Sequence, residues 1–263
     1  MTWEFRIFVP IALAAYLCSV LDQILNASAS SSARSGQMSL GQMLINALLK
    51  KDPKRTDLYI LPKGVPASCG IKLRGGNRTE VKLCKGVSDY STEKWEKTTR
   101  PYNMGSKKWD SDMSSFLLKN DVPADVPLEV THVVSMAKTR EKLSFQDALV
   151  TVDVLRCSVS EGCDVPSPPP RRRSPQTCSE NDASTRSTWL SLSLEGDEEA
   201  VKAAVQALAL TDLDETYVYG GYPSFAAFLQ RDFLKEKNNK TSGSGASSSS
   251  SPPSPKRQKT SRK

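Results

Sequence analysis

The chain has 263 residues, 38% of them hydrophobic and 25% charged, with a formal net charge of +7. That length suits one well-buried domain with tails. Residues 235–263 hold eight basic side chains against Glu236 alone, so residues 1–234 sum to zero and the charge gives no ground for reading the folded body as basic. The sequence offers no P-loop, no Rossmann glycine pattern, no zinc spacing and no nucleophile elbow.

The first element, residues 2–9, alternates as a strand, with Trp3, Phe5, Ile7 and Val9 on one face and Glu4 and Arg6 on the other. A helix over about 11–25 follows. The competing reading is a secretory signal, because residues 7–21 are nearly all apolar and Ala27-Ser28-Ala29 resembles a cleavage site. Glu4, the lone basic Arg6 and the interruption at Pro10 favour strand and helix. The apolar run is too short and too broken for a transmembrane span, so no membrane partner is expected. Residues 26–38 read as an insertion, and residues 40–49 as a short amphipathic helix.

Residues 70–83 read as a β-hairpin turning at Gly75-Gly76-Asn77, where positive φ is tolerated. One arm sets Lys72 and Arg74 opposite Ile71 and Leu73, and the other sets Glu80 and Lys82 opposite Val81 and Leu83. Later strands repeat the rule. Residues 133–140 end in Lys138-Thr139-Arg140. Residues 149–155 put Val150, Val152 and Val154 opposite Thr151 and Asp153, and residues 189–195 put Leu190, Leu192 and Leu194 opposite Ser191, Ser193 and Glu195. Residues 158–187, with Pro-Ser-Pro-Pro-Pro and Arg171-Arg172-Arg173-Ser174-Pro175, read as a disordered insertion between two strands, either a neutral loop expansion or a phosphorylation or docking site at Ser174. A helix over 197–210 opens on Asp197, Glu198 and Glu199, and another over 224–234 carries the stripe Phe225, Phe228 and Leu229. Residues 235–263 read as a disordered tail ending in the basic cluster Pro255-Lys256-Arg257-Gln258-Lys259, either a nuclear localisation signal or a solvated charge run. It is also the one segment suited to nucleic acid.

The six cysteines Cys18, Cys69, Cys84, Cys157, Cys163 and Cys178 form no Cys-x-x-Cys pair. They read as free thiols of a reducing compartment, nuclear or cytoplasmic, with secretion the lesser alternative. The only histidine, His132, lies in a strand-like run and reads as structural; a catalytic Cys–His pair would have to use it.

Many antiparallel strands with few long helices favour closure into a barrel, an α+β fold with helices packed outside against the apolar faces. The charged faces then point inward. Arg6, Lys72, Arg74, Lys82, Lys138 and Arg140 would line an anion site, and Glu4, Glu80, Asp153 and Glu195 could hold a divalent cation against phosphate oxygens.

The order of these elements resembles the CYTH-like, triphosphate tunnel superfamily. So do the segments Arg55-Thr56-Asp57-Leu58-Tyr59, Gly70-Ile71-Lys72-Leu73-Arg74, Glu80-Val81-Lys82, Glu93-Lys94-Trp95-Glu96-Lys97 and Tyr222-Pro223-Ser224-Phe225, with the resemblance closest to an uncharacterised, divergent branch. It spans roughly residues 2–230, so residues 1–234 are expected as one domain. It implies an antiparallel β-barrel tunnel, a small polyphosphate or triphosphate-containing ligand, and magnesium or manganese as cofactor. Catalytic members carry Glu-x-Glu-x-Lys on the first strand, where this chain has Glu4, Arg6 and Phe8. An arginine in place of a metal-binding carboxylate favours anion binding over hydrolysis. Two readings therefore stand: an anion-binding tunnel with metal-dependent phosphohydrolase activity left open, and a non-catalytic nuclear interaction scaffold whose strand charges are structural salt bridges.

Overall fold

Alternating side-chain direction along the first strand organises the whole molecule. In β1 (Thr2–Pro10), Phe5, Ile7 and Val9 pack outward beneath helices, while Glu4, Arg6 and Phe8 are buried on the opposite, inner face. The computed structural model describes residues 1–28, 39–50, 55–74, 78–88, 90–100, 108–145, 147–161, 186–210, 213 and 216–243. The expected turn at 75–77, most of the expected insertions and Ser174 lie outside these residues, as do Cys163, Cys178 and the basic cluster of the tail.

After β1 come α1 (Ile11–Ser28), α2 (Leu40–Leu49), β2 (Arg55–Pro62), β3 (Cys69–Arg74), β4 (Arg78–Val87), β5 (Glu93–Arg100) and α3 (Trp109–Lys119). The chain continues through β6 (Val130–Phe145), β7 (Ala148–Glu161), β8 (Arg186–Gly196), α4 (Glu198–Ala207), β9 (Val218–Tyr219) and α5 (Tyr222–Gly243). Some expected boundaries shift: residues 26–28 belong to α1, 158–161 to β7, 186–187 to β8 and 235–243 to α5.

The strands run in the order β5-β4-β3-β2-β6-β7-β8-β1, each pair antiparallel, and β1 pairs back with β5. That last pairing, Thr2–Glu4 on Trp95–Glu93, closes the sheet into an eight-stranded barrel. Beyond the seam β1 pairs with the two-residue β9 instead. Closure removes the exposed edges that an open sheet would present.

The apolar faces point outward under two layers of helix. Val150, Val152 and Val154 of β7 and Leu190, Leu192 and Leu194 of β8 join the outer face of β1 beneath α1, α2 and α4. Ile71, Leu73, Val81 and Leu83 pack on Trp109, Met113 and Leu117 of α3. Full burial of each such side chain contributes roughly 1.5–3 kcal/mol, enough to hold the helices on the barrel. Local signals start two of them: the Ser39 hydroxyl accepts from Gln42 N at the head of α2, where Asp22 of α1 also accepts from Leu40 and Gly41 N, and Asp197 accepts from Ala200 N at the head of α4.

The fifth helix, α5, packs across one end of the barrel. Tyr222, Phe225, Ala226 and Leu229 enter one end of the barrel and pack on the inner-face residues Phe8, Tyr59, Met136, Leu155 and Val159. Phe225 stacks on Phe8 with ring centres 3.9 Å apart. Entry requires glycine at two points. A Cβ on Gly70 would fall 2.2 Å from Pro223 Cγ, and one on Gly221 would fall 2.7 Å from the Trp95 ring. Glu93 fastens the entry point by accepting from Gly221 N at 2.7 Å and Trp95 Nε1 at 3.0 Å.

Candidate functional site

The inner faces converge at the end of the barrel that α5 leaves open. Each contributing side chain arrives by strand alternation: Glu4 and Arg6 from β1, Arg55 and Asp57 from β2, Lys72 and Arg74 from β3, Glu80 and Lys82 from β4. Lys97 comes from β5, Lys138 and Arg140 from β6, Asp153 from β7 and Glu195 from β8. They surround a cavity of about 230 Å³. Of the residues expected from sequence, Glu4, Arg6, Lys72, Arg74, Glu80, Lys82, Arg140 and Glu195 line it. Lys138 and Asp153 lie one layer deeper and meet the floor, Tyr222. The Tyr222 hydroxyl donates to Asp153 Oδ2 at 2.6 Å, and its ring lies between the Arg6 guanidinium, 4.3 Å from the ring centre, and the Lys138 ammonium at 3.2 Å.

Four carboxylate nodes hold the basic side chains in place. Asp57 has Lys138 and Arg55 each at 3.0 Å, Arg74 at 3.7 Å and Lys72 at 3.8 Å. Glu80 has Arg74 at 2.8 Å, Lys72 at 3.1 Å and Lys97 at 3.2 Å. Asp153 takes Arg140 through two bonds of 2.7 Å each, and Glu4 takes Arg6 at 2.7 Å and Lys82 at 3.1 Å. These pairs and Glu195 involve eight basic and five acidic side chains, a positive excess of three.

The charges are also layered. The carboxylates of Glu4, Asp57, Glu80 and Asp153 are no more than 5% exposed, whereas Arg55, Arg74, Lys82, Lys97 and Arg140 are between 27% and 44% exposed. Four carboxylates thus form the inner layer together with Arg6, Lys72 and Lys138, and five cations face the opening beside Glu195, which is 29% exposed, with donors to spare.

Protonation follows from this layering. Burial would raise the Glu4 carboxyl, but Arg6 and Lys82 overcome it and hold it down at about 2. Burial likewise opposes ionisation of Asp57, and Lys138, Lys72 and Arg55 together hold it below the usual carboxylate range. The lysines behave in the opposite sense. Burial pushes the Lys72 ammonium down to about 8 despite Asp57 and Glu80, and it also holds Lys138 well below its usual range, aided by Lys72 and Arg55 and opposed by Asp57 and Asp153. Burial raises Glu93, against the N–H groups of Gly221 and Trp95.

The four carboxylates expected to hold magnesium or manganese do not gather at one point. Glu80 is surrounded by Lys72, Arg74 and Lys97, and Glu4, Asp153 and Glu195 converge on the Arg6 guanidinium. Among the described residues no group of three or more His, Cys, Asp or Glu side chains is arranged to hold a metal ion. The donor set therefore does not fit a resident divalent cation. His132 lies at the far end, where its Nδ1 meets Gln230 Nε2 at 2.7 Å and its ring meets the edge of Phe233, a packing role. Cys18, Cys69, Cys84 and Cys157 are free thiols.

Sequence reading missed Arg55, Asp57, Lys97 and Tyr222 as site residues. Asp57 was legible, because Arg55, Asp57 and Tyr59 alternate with Thr56, Leu58 and Ile60 like every other strand. Tyr222 was not, because its place depends on α5 entering the barrel.

No family model and no curated protein sequence matches the chain. No helix among the described residues is long and apolar enough to cross a membrane. One solved structure similar to this chain is a crystal structure of a candidate adenylate cyclase from Bacillus halodurans, at 8% identity and a TM-score of 0.33, covering 66% of this chain and 84% of that one.

Proposed function

We propose that the open end of the barrel binds a small, phosphate-rich polyanion. The observation that supports the reading is the layering, in which buried carboxylates hold an excess of basic side chains toward one cavity. A surface network of alternating pairs would end near neutrality. Here Arg55, Arg74, Arg140, Lys82 and Lys97 retain free donors, and arginine adds the two-pronged geometry that matches phosphate oxygens. The reading is one of binding, not hydrolysis. Each carboxylate at the cavity is already paired, and a carboxyl held at about 2, as Glu4 is, makes a weak general base.

Titration of the full chain with tripolyphosphate and ATP, followed by calorimetry and thermal unfolding, tests this. Saturable binding that raises the unfolding temperature is expected, and Lys72→Ala with Arg74→Ala should abolish it. No phosphate release is expected with magnesium or manganese added. Absence of binding would leave the interior ion pairs as a structural device, the scaffold reading, which the complete pairing of the carboxylates favours. A role for the basic tail in nuclear import belongs to the same proposal and is read by the location of a chain lacking residues 255–263.

A further inference from the structure

Arg6 occupies the point where three carboxylates of different strands converge. Its Nε donates to Glu4 Oε1 at 2.7 Å and its Nη2 to Glu195 Oε1 at 3.1 Å. Nη1 donates to Ser191 Oγ at 2.8 Å and lies 3.7 Å from Asp153 Oδ2. The side chain is buried, yet it lines the cavity. Two further polar groups share this inner face. Ser193 is directly across from Arg6, Thr151 is across from Ser193, and both hydroxyls are fully buried without a hydrogen-bond partner among the described residues. Carboxylate and hydroxyl oxygens from three strands therefore surround one guanidinium, which supplies the positive charge among them.

We infer that Arg6 is the resident cation of the cavity and determines its specificity, so that the site takes a polyanion free of divalent metal and disfavours the same polyanion as its magnesium complex. A guanidinium stays protonated at any working pH and cannot dissociate as a metal ion does. A metal carried in on the ligand would meet Arg6, Arg74, Lys82 and Arg140 as like charges, and it would cancel the ligand charge that those donors recognise. The carboxylates could turn toward such a metal only by leaving Arg6 buried and unpaired, which is strongly unfavourable.

The preference for metal-free ligand rests on the anion-binding reading; the seat of the cation does not. The first arm of the test therefore uses no anion. Manganese binding to the full chain is followed by loss of the free-ion electron paramagnetic resonance signal. Wild type should take up none at this site, and Arg6→Gln, which removes the charge and leaves Glu4, Asp153 and Glu195 facing one another, should take up one equivalent. Manganese bound to wild type and lost in Glu4→Gln, or no manganese bound to folded Arg6→Gln, overturns the assignment. Should Arg6→Gln fold poorly, recovery of its structure on refolding with manganese supports the assignment, and no recovery overturns it.

The second arm measures tripolyphosphate affinity of wild type by calorimetry in EDTA and in excess magnesium. Magnesium should weaken binding by about tenfold or more, the order of one lost charge-assisted contact. Equal or tighter binding with magnesium overturns the specificity. Absence of binding under both conditions would refute the anion site itself, and the manganese arm would still decide the role of Arg6.

Discussion

The two ends of the barrel are built by the same strands on the same two-residue alternation, and they hold opposite contents. Along β1 the inner face runs Glu4, Arg6, Phe8; along β6 it runs Met136, Lys138, Arg140; along β7 it runs Asp153, Leu155, Cys157. At one end the inner side chains are apolar and α5 fills the space between them. At the other they are charged and a cavity remains. What changes along each strand is the chemistry of alternate residues, not the period, so the charged end and the apolar end are separate parts of one inner surface.

Truncating the filled end should cost most. Phe225→Ala removes a fully buried ring stacked on Phe8 and should lower stability by about 3–5 kcal/mol in chemical denaturation. A small loss there would mean that α5 does not hold the barrel. At the charged end, Asp57→Asn keeps the shape and removes the carboxylate shared by Lys138, Arg55, Lys72 and Arg74. A loss of about 3 kcal/mol is expected, partly restored by tripolyphosphate as a substitute counter-charge. A neutral outcome would break the claim that buried carboxylates hold the cations in place.

Gly70→Ala forces a methyl group into Pro223 and should cost about 1–3 kcal/mol, with ligand affinity falling through displacement of Tyr222. Unchanged affinity would separate the two ends more sharply than proposed. The smallest effect is one of pH. The folded ammonium of Lys72 has its value lowered to about 8 from 10.5, so folding is penalised while the group is protonated in both states, and that penalty is relieved as pH rises from 8 toward 10.5. Anion affinity moves the other way. Above about pH 8 the ligand must bring a proton back onto Lys72, and affinity should fall by up to about tenfold per pH unit, read as proton uptake in calorimetry across buffers.

Much of this was legible before any coordinates. Lys72 with Arg74, Glu80 with Lys82, and Glu4 with Arg6 share faces because alternation along a strand is a local property. The apolar faces opposite them identify which side the helices cover. Closure was an inference from strand number, and the three-pair seam of Thr2–Glu4 against β5 leaves no local signature. The stripe of Phe225, Phe228 and Leu229 reads as ordinary core packing, and it is core packing, but against the inside of the barrel. Nothing in a helical period distinguishes an outer sheet face from the lumen of a closed one. The requirement for Gly70 at the Pro223 contact records that insertion only once both partners are placed.

Because α5 stops one end, the cavity is a dead end and not a passage. On the anion-binding reading, ligand would leave by the opening through which it came, so two anions would compete for a single doorway and exchange one after the other. A long linear polyphosphate could not thread the barrel. It would be held by a terminus alone, its affinity would be insensitive to chain length, and each chain would carry at most a protein molecule at either end.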